Sequence, residues 1–141
     1  MFTVLNIDDD KCNRTIVSLM LKNKCSDVDI IDCINGQEAI DKYIELKGKV
    51  DLVISDYHMP IKDGKETLTE MRSKGYDESF VILTSDCMAD SKVFPEATYV
   101  KYKPLTKEVI DEVVVNGLCR KCKKTKAVGE KCMGASNVRN Y

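Results

Sequence analysis

The chain has 141 residues, 43% of them hydrophobic and 32% charged, with a formal net charge of −1. That balance suits one folded domain with a buried core and argues against a disordered chain; no apolar run approaches the ~20 residues a membrane-spanning helix needs. The charge is uneven, because residues 119–141 carry seven Lys or Arg against Glu130 alone, which leaves residues 1–118 at −7 and the tail at +6.

The first apolar run, Thr3–Ile7, reads as a strand that ends in Asp8-Asp9-Asp10, and aspartates so early argue against a secretory signal. From about Asn13 the spacing turns helical, with Ile16, Val17, Met20 and Leu21 on one face. Val28–Cys33 is a second strand candidate. Asn35-Gly36 leads into a helix whose Ala39, Ile40, Tyr43 and Ile44 share a face, and which stops near Gly48. Leu52–Ser55 is a near-continuous apolar run of the kind found in strands buried on both faces. Asp56, a loop through Pro60, and Asp63-Gly64 follow, then a helix carrying Leu68 and Met71.

Phe80–Thr84 and Thr98–Tyr102 complete five strands. Between them, Asp86–Pro95 has few strong apolar positions and a proline, which predicts a fourth helix that is short or irregular. The last helix is predicted over Thr106–Asn116, with Thr106 as N-cap, Gly117 as stop, and Val109, Ile110, Val113 and Val114 on one side. Strands alternating with helices predict an α/β fold with a doubly wound parallel sheet and helices on both faces. Of seven cysteines, Cys12, Cys25, Cys33 and Cys87 stand singly in these elements and read as reduced thiols packed as small hydrophobes.

In an open parallel sheet, ligands bind outside the carboxyl ends of the strands. The residues at those ends are Asp8 and Asp9, Asp56, Thr84 and Lys103. Each alone has an ordinary reading: a helix cap for an aspartate, a strand position for Thr84, a solvated surface for Lys103. Together they place three carboxylates, one hydroxyl and one ammonium on one edge. Three carboxylates so close raise one another's pKa, and a hard divalent cation such as Mg²⁺ relieves the conflict.

Val4–Asp10 with Asn13-Arg14, Asn35–Ala39, Asp51–Pro60 with Asp63-Gly64, Val81–Ser85 and Lys103-Pro104-Leu105 together resemble the receiver domains of two-component and phosphorelay response regulators, over residues 2–117. The resemblance implies a flavodoxin-like fold with strand order 2-1-3-4-5, in a stand-alone receiver at residues 1–118. It implies Asp56 as the phosphoacceptor, attacking phosphorus to form an acyl phosphate. Mg²⁺, with Mn²⁺ as a substitute, would be held by Asp9, Asp8, Asp56 and the backbone carbonyl of His58. Thr84 would hydrogen-bond a phosphoryl oxygen and Lys103 would pair with its charge. The side chains of His58 and Asp86 would stand beside the acyl phosphate and tune its hydrolysis. The donor implied is a histidine kinase or a histidine-containing phosphotransfer protein, and the location cytoplasmic, with a nuclear one also compatible. Such a domain catalyses only its own phosphorylation and dephosphorylation. The competing readings are a small Mg²⁺-dependent phosphohydrolase, whose second acid would be replaced here by His58, and an interaction module without phosphorylation.

Two features depart from the family. The stretch from Thr84 to Lys103 is a few residues short, and Val100 stands where many receivers carry an aromatic, with Tyr99 and Tyr102 out of that register. The tail at 119–141 is basic, and its Cys119, Cys122 and Cys132 supply three of the four ligands a structural zinc site needs. A zinc site shared between chains, an unstructured tail, redox pairing and lipid attachment all remain open for it. Basic charge alone does not make it a DNA-binding module.

Overall fold

Residues 2–115 are described in the computed structural model. Five parallel strands form one sheet in the order β2-β1-β3-β4-β5. They are β1 (Phe2–Ile7), β2 (Val28–Cys33), β3 (Leu52–Ser55), β4 (Ser79–Thr84) and β5 (Tyr99–Tyr102), with helices α1 (Lys11–Lys24), α2 (Gly36–Glu45) and α3 (Gly64–Ser73) between them. A last helix, α4, covers 107–115. The expected fold class and strand order are those observed. The predicted domain boundary at residue 118, the basic tail and its Cys119, Cys122 and Cys132 lie outside the described residues.

Side chains alternate across the sheet and so build two cores. On one face Val4, Leu52, Ile54, Val81 and Leu83 meet Val17 and Leu21 of α1 and Ile110, Val113 and Val114 of α4. On the other, Leu5, Ile7, Val53, Phe80 and Ile82 meet Ala39, Ile40 and Tyr43 of α2 and Leu68 and Met71 of α3. The central strands β3 and β4 are buried along their whole length, which is why their sequences are apolar without alternation. The buried helical stripes are narrower than their sequences suggest, since Ile16 and Ile44 are exposed. Cys25 and Cys33 are buried as expected, and burial pushes the Cys33 thiol up to about 12. Cys12 and Cys87 are instead exposed.

Each helix start is closed by a side chain. Asp10 caps α1, which begins at Lys11, two residues before the point the spacing suggests; Asn35 caps α2, and Asp63 with Glu66 forms a capping box on α3. Thr106 caps α4 through the Val109 N–H. Ion pairs Lys24–Asp111 (3.1 Å) and Lys101–Glu112 (2.7 Å) tie α4 to α1 and to β5. No helix among the described residues is long and apolar enough to cross a membrane.

Between β4 and β5, where a short or irregular helix is predicted, the chain makes a series of turns and no helix. The side chains of Asp86 and Asp90 accept from the Met88 and Lys92 N–H groups, local bonds that compete with helical ones. Ala89 and Phe94 are the buried anchors of this connection. Phe94 meets Tyr57 edge-on at 4.7 Å between centroids, and the Tyr102 hydroxyl donates to the Ala89 carbonyl (2.6 Å). The Lys103–Pro104 bond is cis.

A strained turn lies in the loop after β3. Ile61 has φ +71° and is 79% exposed, and the Lys62 N–H donates to the Pro60 carbonyl (2.8 Å), closing a three-residue turn around it. A β-branched residue is poorly suited to this backbone and gains no burial in return. Ile61→Gly is expected to stabilise the fold by about 1 kcal/mol, read as a higher midpoint of thermal unfolding.

Candidate functional site

The strand register sets the site. Ile7 pairs with Cys33 on one side and Ser55 on the other, so β1, β2 and β3 end flush; Ser55 pairs with Ile82 and Thr84 with Tyr102, so β4 and β5 run on together two residues further. Backbone bonds carry the alignment one residue further. Asp8 N–H donates to Cys33 O (3.0 Å), Asp56 N–H to Ile7 O (2.9 Å) and Lys103 N–H to Thr84 O (2.8 Å). Side chains from β1, β3 and β5 therefore converge on one edge of the sheet.

Carboxylate oxygens of Asp8, Asp9 and Asp56 lie within 4.8 Å of one another. The Lys103 ammonium sits between two of them, 3.1 Å from Asp8 Oδ2 and 3.4 Å from Asp56 Oδ1. Asp8 Oδ1 accepts from the Asp10 N–H (2.9 Å), and Asp56 Oδ1 from the Tyr57 N–H (2.8 Å). Asp8 is buried, Asp56 half-buried and Asp9 exposed, so the cluster opens to solvent on the Asp9 side. Thr84 is buried, and its hydroxyl oxygen accepts from the Asp86 N–H (3.0 Å).

Burial pushes the Asp56 carboxyl above its ordinary value, and the charge of Asp8 adds to the rise. Lys103 and the Tyr57 N–H pull the other way. An all-oxygen set of three carboxylates is chemistry that fits a hard divalent cation.

His58 and Asp86 meet above this edge, His58 Nε2 lying 3.1 Å from Asp86 Oδ2. The His58 ring is largely exposed and stacks on Tyr57 at 4.1 Å. The bonds from His58 and from the Met88 N–H hold the Asp86 carboxyl below its ordinary range. The pair thus joins the loop after β3 to the loop after β4.

All the described residues predicted for the site, Asp8, Asp9, Asp56, His58, Thr84, Asp86 and Lys103, lie at this one edge. Sequence reasoning missed the support behind it. Arg14 reaches back to the Asp8 carbonyl (2.6 Å), and Gly64 lies directly against the Asp56 carbonyl. The polar Asn6 between apolar Leu5 and Ile7 was the available signal for the first.

The family model described as "Response regulator receiver domain" matches residues 4–114. Over 118 residues the chain is 29% identical to the two-component response regulator ORR41 of Oryza sativa subsp. japonica, covering 81% of this chain and 92% of that protein. Over 98 residues it is 32% identical to the chemotaxis protein CheY of Listeria monocytogenes, covering 69% and 77%. Among solved structures, the response regulator TrrA of Thermotoga maritima in complex with Mg²⁺–BeF matches with TM-score 0.74 and 28% identity, covering 84% of this chain and 100% of that one.

Proposed function

Because the chain belongs to the response regulator receiver domain family, whose members work in two-component and phosphorelay signalling, we propose that Asp56 accepts the phosphoryl group in a Mg²⁺-dependent transfer. The observation that carries this is the Lys103 ammonium bridging Asp8 and Asp56, with a third carboxylate, Asp9, in the same cluster.

In this reading the Tyr57 N–H and Lys103 fix Asp56 Oδ1 and so orient the carboxyl group. No hydrogen bond among the described residues engages Oδ2, which we assign to attack. Oδ2 forms a bond to phosphorus while the P–N bond of a phosphohistidine donor breaks, and the imidazole nitrogen keeps the electron pair. Asp8, Asp9, Asp56 and the His58 carbonyl would hold the metal, which when bound offsets negative charge on the transferring group. Mn²⁺ would serve in its place. Lys103 pairs with the phosphoryl oxygens, and the Thr84 hydroxyl, now accepting from Asp86 N–H, turns to donate to one of them.

The donors suited to this chemistry are a histidine kinase or a histidine-containing phosphotransfer protein. The domain acts as a relay, a phosphate sink or a switch whose only reactions are gain and loss of its own phosphoryl group. Incubation with acetyl phosphate and Mg²⁺ is expected to add one base-labile phosphoryl group by intact mass, and chelation of the metal to prevent it. No gain from acetyl phosphate or from a phosphorylated histidine donor would overturn the proposal.

The His58–Asp86 pair supports a second expectation. Spanning the two loops, it controls how water approaches the acyl phosphate. His58→Ala and Asp86→Asn should each change the phosphoryl lifetime several-fold and leave Mg²⁺ affinity as it is. The check is a decay time course with a parallel metal titration, and wild-type lifetimes in both variants would refute the idea.

A further inference from the structure

Asn6 is a polar residue buried in a strand whose other inward positions are apolar, with 1% of its surface exposed. On β1 it shares a face with Val4, toward α1, where an apolar side chain would satisfy packing. Its amide nitrogen instead donates to the Arg14 carbonyl in α1 (2.9 Å) and to Oδ1 of Asp32, its cross-strand partner on β2 (3.2 Å). The other Asp32 oxygen faces Arg14 Nε at 4.0 Å. The Arg14 guanidinium then donates to the Asp8 carbonyl at 2.6 Å. These contacts form a chain from Asn6 and Asp32, through Arg14, to one peptide group.

That peptide group is the link between Asp8 and Asp9. The Asp8 carboxylate is held separately, by Lys103 and the Asp10 N–H. Asp9 is exposed, and no hydrogen bond among the described residues holds its carboxylate. The backbone fixes the Cα–Cβ vector from which the Asp9 carboxylate reaches out, and the plane of the peptide entering Asp9 is held by the bond from Arg14 to the Asp8 carbonyl. We propose that Arg14, braced by Asn6 and Asp32, is a positioning residue that fixes the Asp8–Asp9 peptide and so aims the Asp9 carboxylate at the metal ion.

This rests on the metal-dependent acceptor reading above and adds to it the residues that preorganise the cation site. Losing a group that orients metal ligands from behind typically costs about 10–100-fold in metal affinity. Arg14 is suited to the task because its planar guanidinium presents a donor to the Asp8 carbonyl in a fixed orientation while its charge faces Asp32 at 4.0 Å, which a lysine ammonium does not reproduce.

The test titrates Mg²⁺ into wild type, Asn6→Val and Arg14→Lys by calorimetry, beside thermal unfolding of each protein without metal. Asn6→Val places an apolar residue where the strand accepts one and leaves the Arg14 charge in place. Arg14→Lys keeps the charge and loses the fork. The dissociation constant for Mg²⁺ should rise about tenfold in both variants. Metal-free melting should stay within a few degrees of wild type, and phosphoryl uptake from acetyl phosphate should recover at saturating Mg²⁺. Wild-type affinity in both variants, or affinity lost only in proportion to melting temperature, would overturn the positioning role and leave the acceptor reading standing. A wild-type protein that binds no Mg²⁺ would overturn both together.

Discussion

Asp56→Asn is expected to take no phosphoryl group from any donor and, without metal, to melt at a higher temperature than wild type at neutral pH. The first effect is chemical, because an amide oxygen does not form the acyl phosphate. The second follows from burial. The folded protein raises the Asp56 pKa above its ordinary 3.8, chiefly by desolvation and then by the charge of Asp8, against the pull of Lys103 and the Tyr57 N–H. A carboxyl with a raised pKa binds its proton more tightly when folded. It therefore costs nothing below pH 3.8, and stability falls as pH rises from there through the raised value. Asparagine has no proton to lose, so the melting advantage of the variant should be present at pH 7 and vanish below pH 3.8. Lys103 keeps a partner in Asp8, which removes the main offsetting cost. The checks are intact mass after exposure to acetyl phosphate and melting curves across pH in a chelating buffer. A variant less stable than wild type at neutral pH would contradict the account. The ordering is the usual one for functional groups, whose placement serves chemistry at the expense of stability.

Gly64→Ala should damage fold and chemistry together. A Cβ at this position would lie 2.4 Å from the Asp56 carbonyl oxygen and 3.1 Å from Tyr57 Cα. Both neighbours are backbone, so no side-chain rotation relieves the clash. Gly64 is also the first residue of α3, with its N–H bonded to the Tyr57 carbonyl (2.7 Å) and Asp63 capping the helix before it. The loop must shift, and Asp56 shifts with it. The expected cost is about 2–3 kcal/mol in stability, and the rate of phosphoryl uptake should fall on the order of a hundredfold from misplacement of the acceptor. Gly75 supplies the control. It has φ +97° and nothing within 4 Å of an added Cβ, so Gly75→Ala should cost about 1 kcal/mol through backbone strain and leave uptake unchanged. Equal rates for wild type and Gly64→Ala would show that the loop absorbs the methyl group without moving the acid.

The convergence of Asp8, Asp56, Thr84 and Lys103 was legible because a parallel sheet aligns strand ends, and each of these residues follows or closes an apolar run. What carried less signal was anything set by contact across the fold. The bond from Arg14 to the Asp8 carbonyl depends on how α1 leans on β1, and sequence spacing does not encode that angle. The approach of Gly64 to Asp56 likewise arises only once α3 is docked. For the segment after β4, few strong apolar positions and a proline predict a short or irregular helix. In the structure, Asp86 and Asp90 capture nearby N–H groups before a helical turn can form. Ile61 gave no warning at all, since nothing in its neighbours marks a residue with positive φ.

The turns between β4 and β5 also bear on how the molecule breathes. Burial in this connection rests on Ala89 and Phe94, whereas β1, β3 and β4 are sealed by core on both faces. Amide hydrogens of β5 and its approach should therefore exchange with solvent through a local opening far cheaper than global unfolding, while those of β3 wait for the whole domain to open. Lys103 lies at the end of that cheap unit and the three aspartates do not. Each such opening separates the ammonium from the carboxylates, so the lifetime of an assembled site is set at the edge of the sheet.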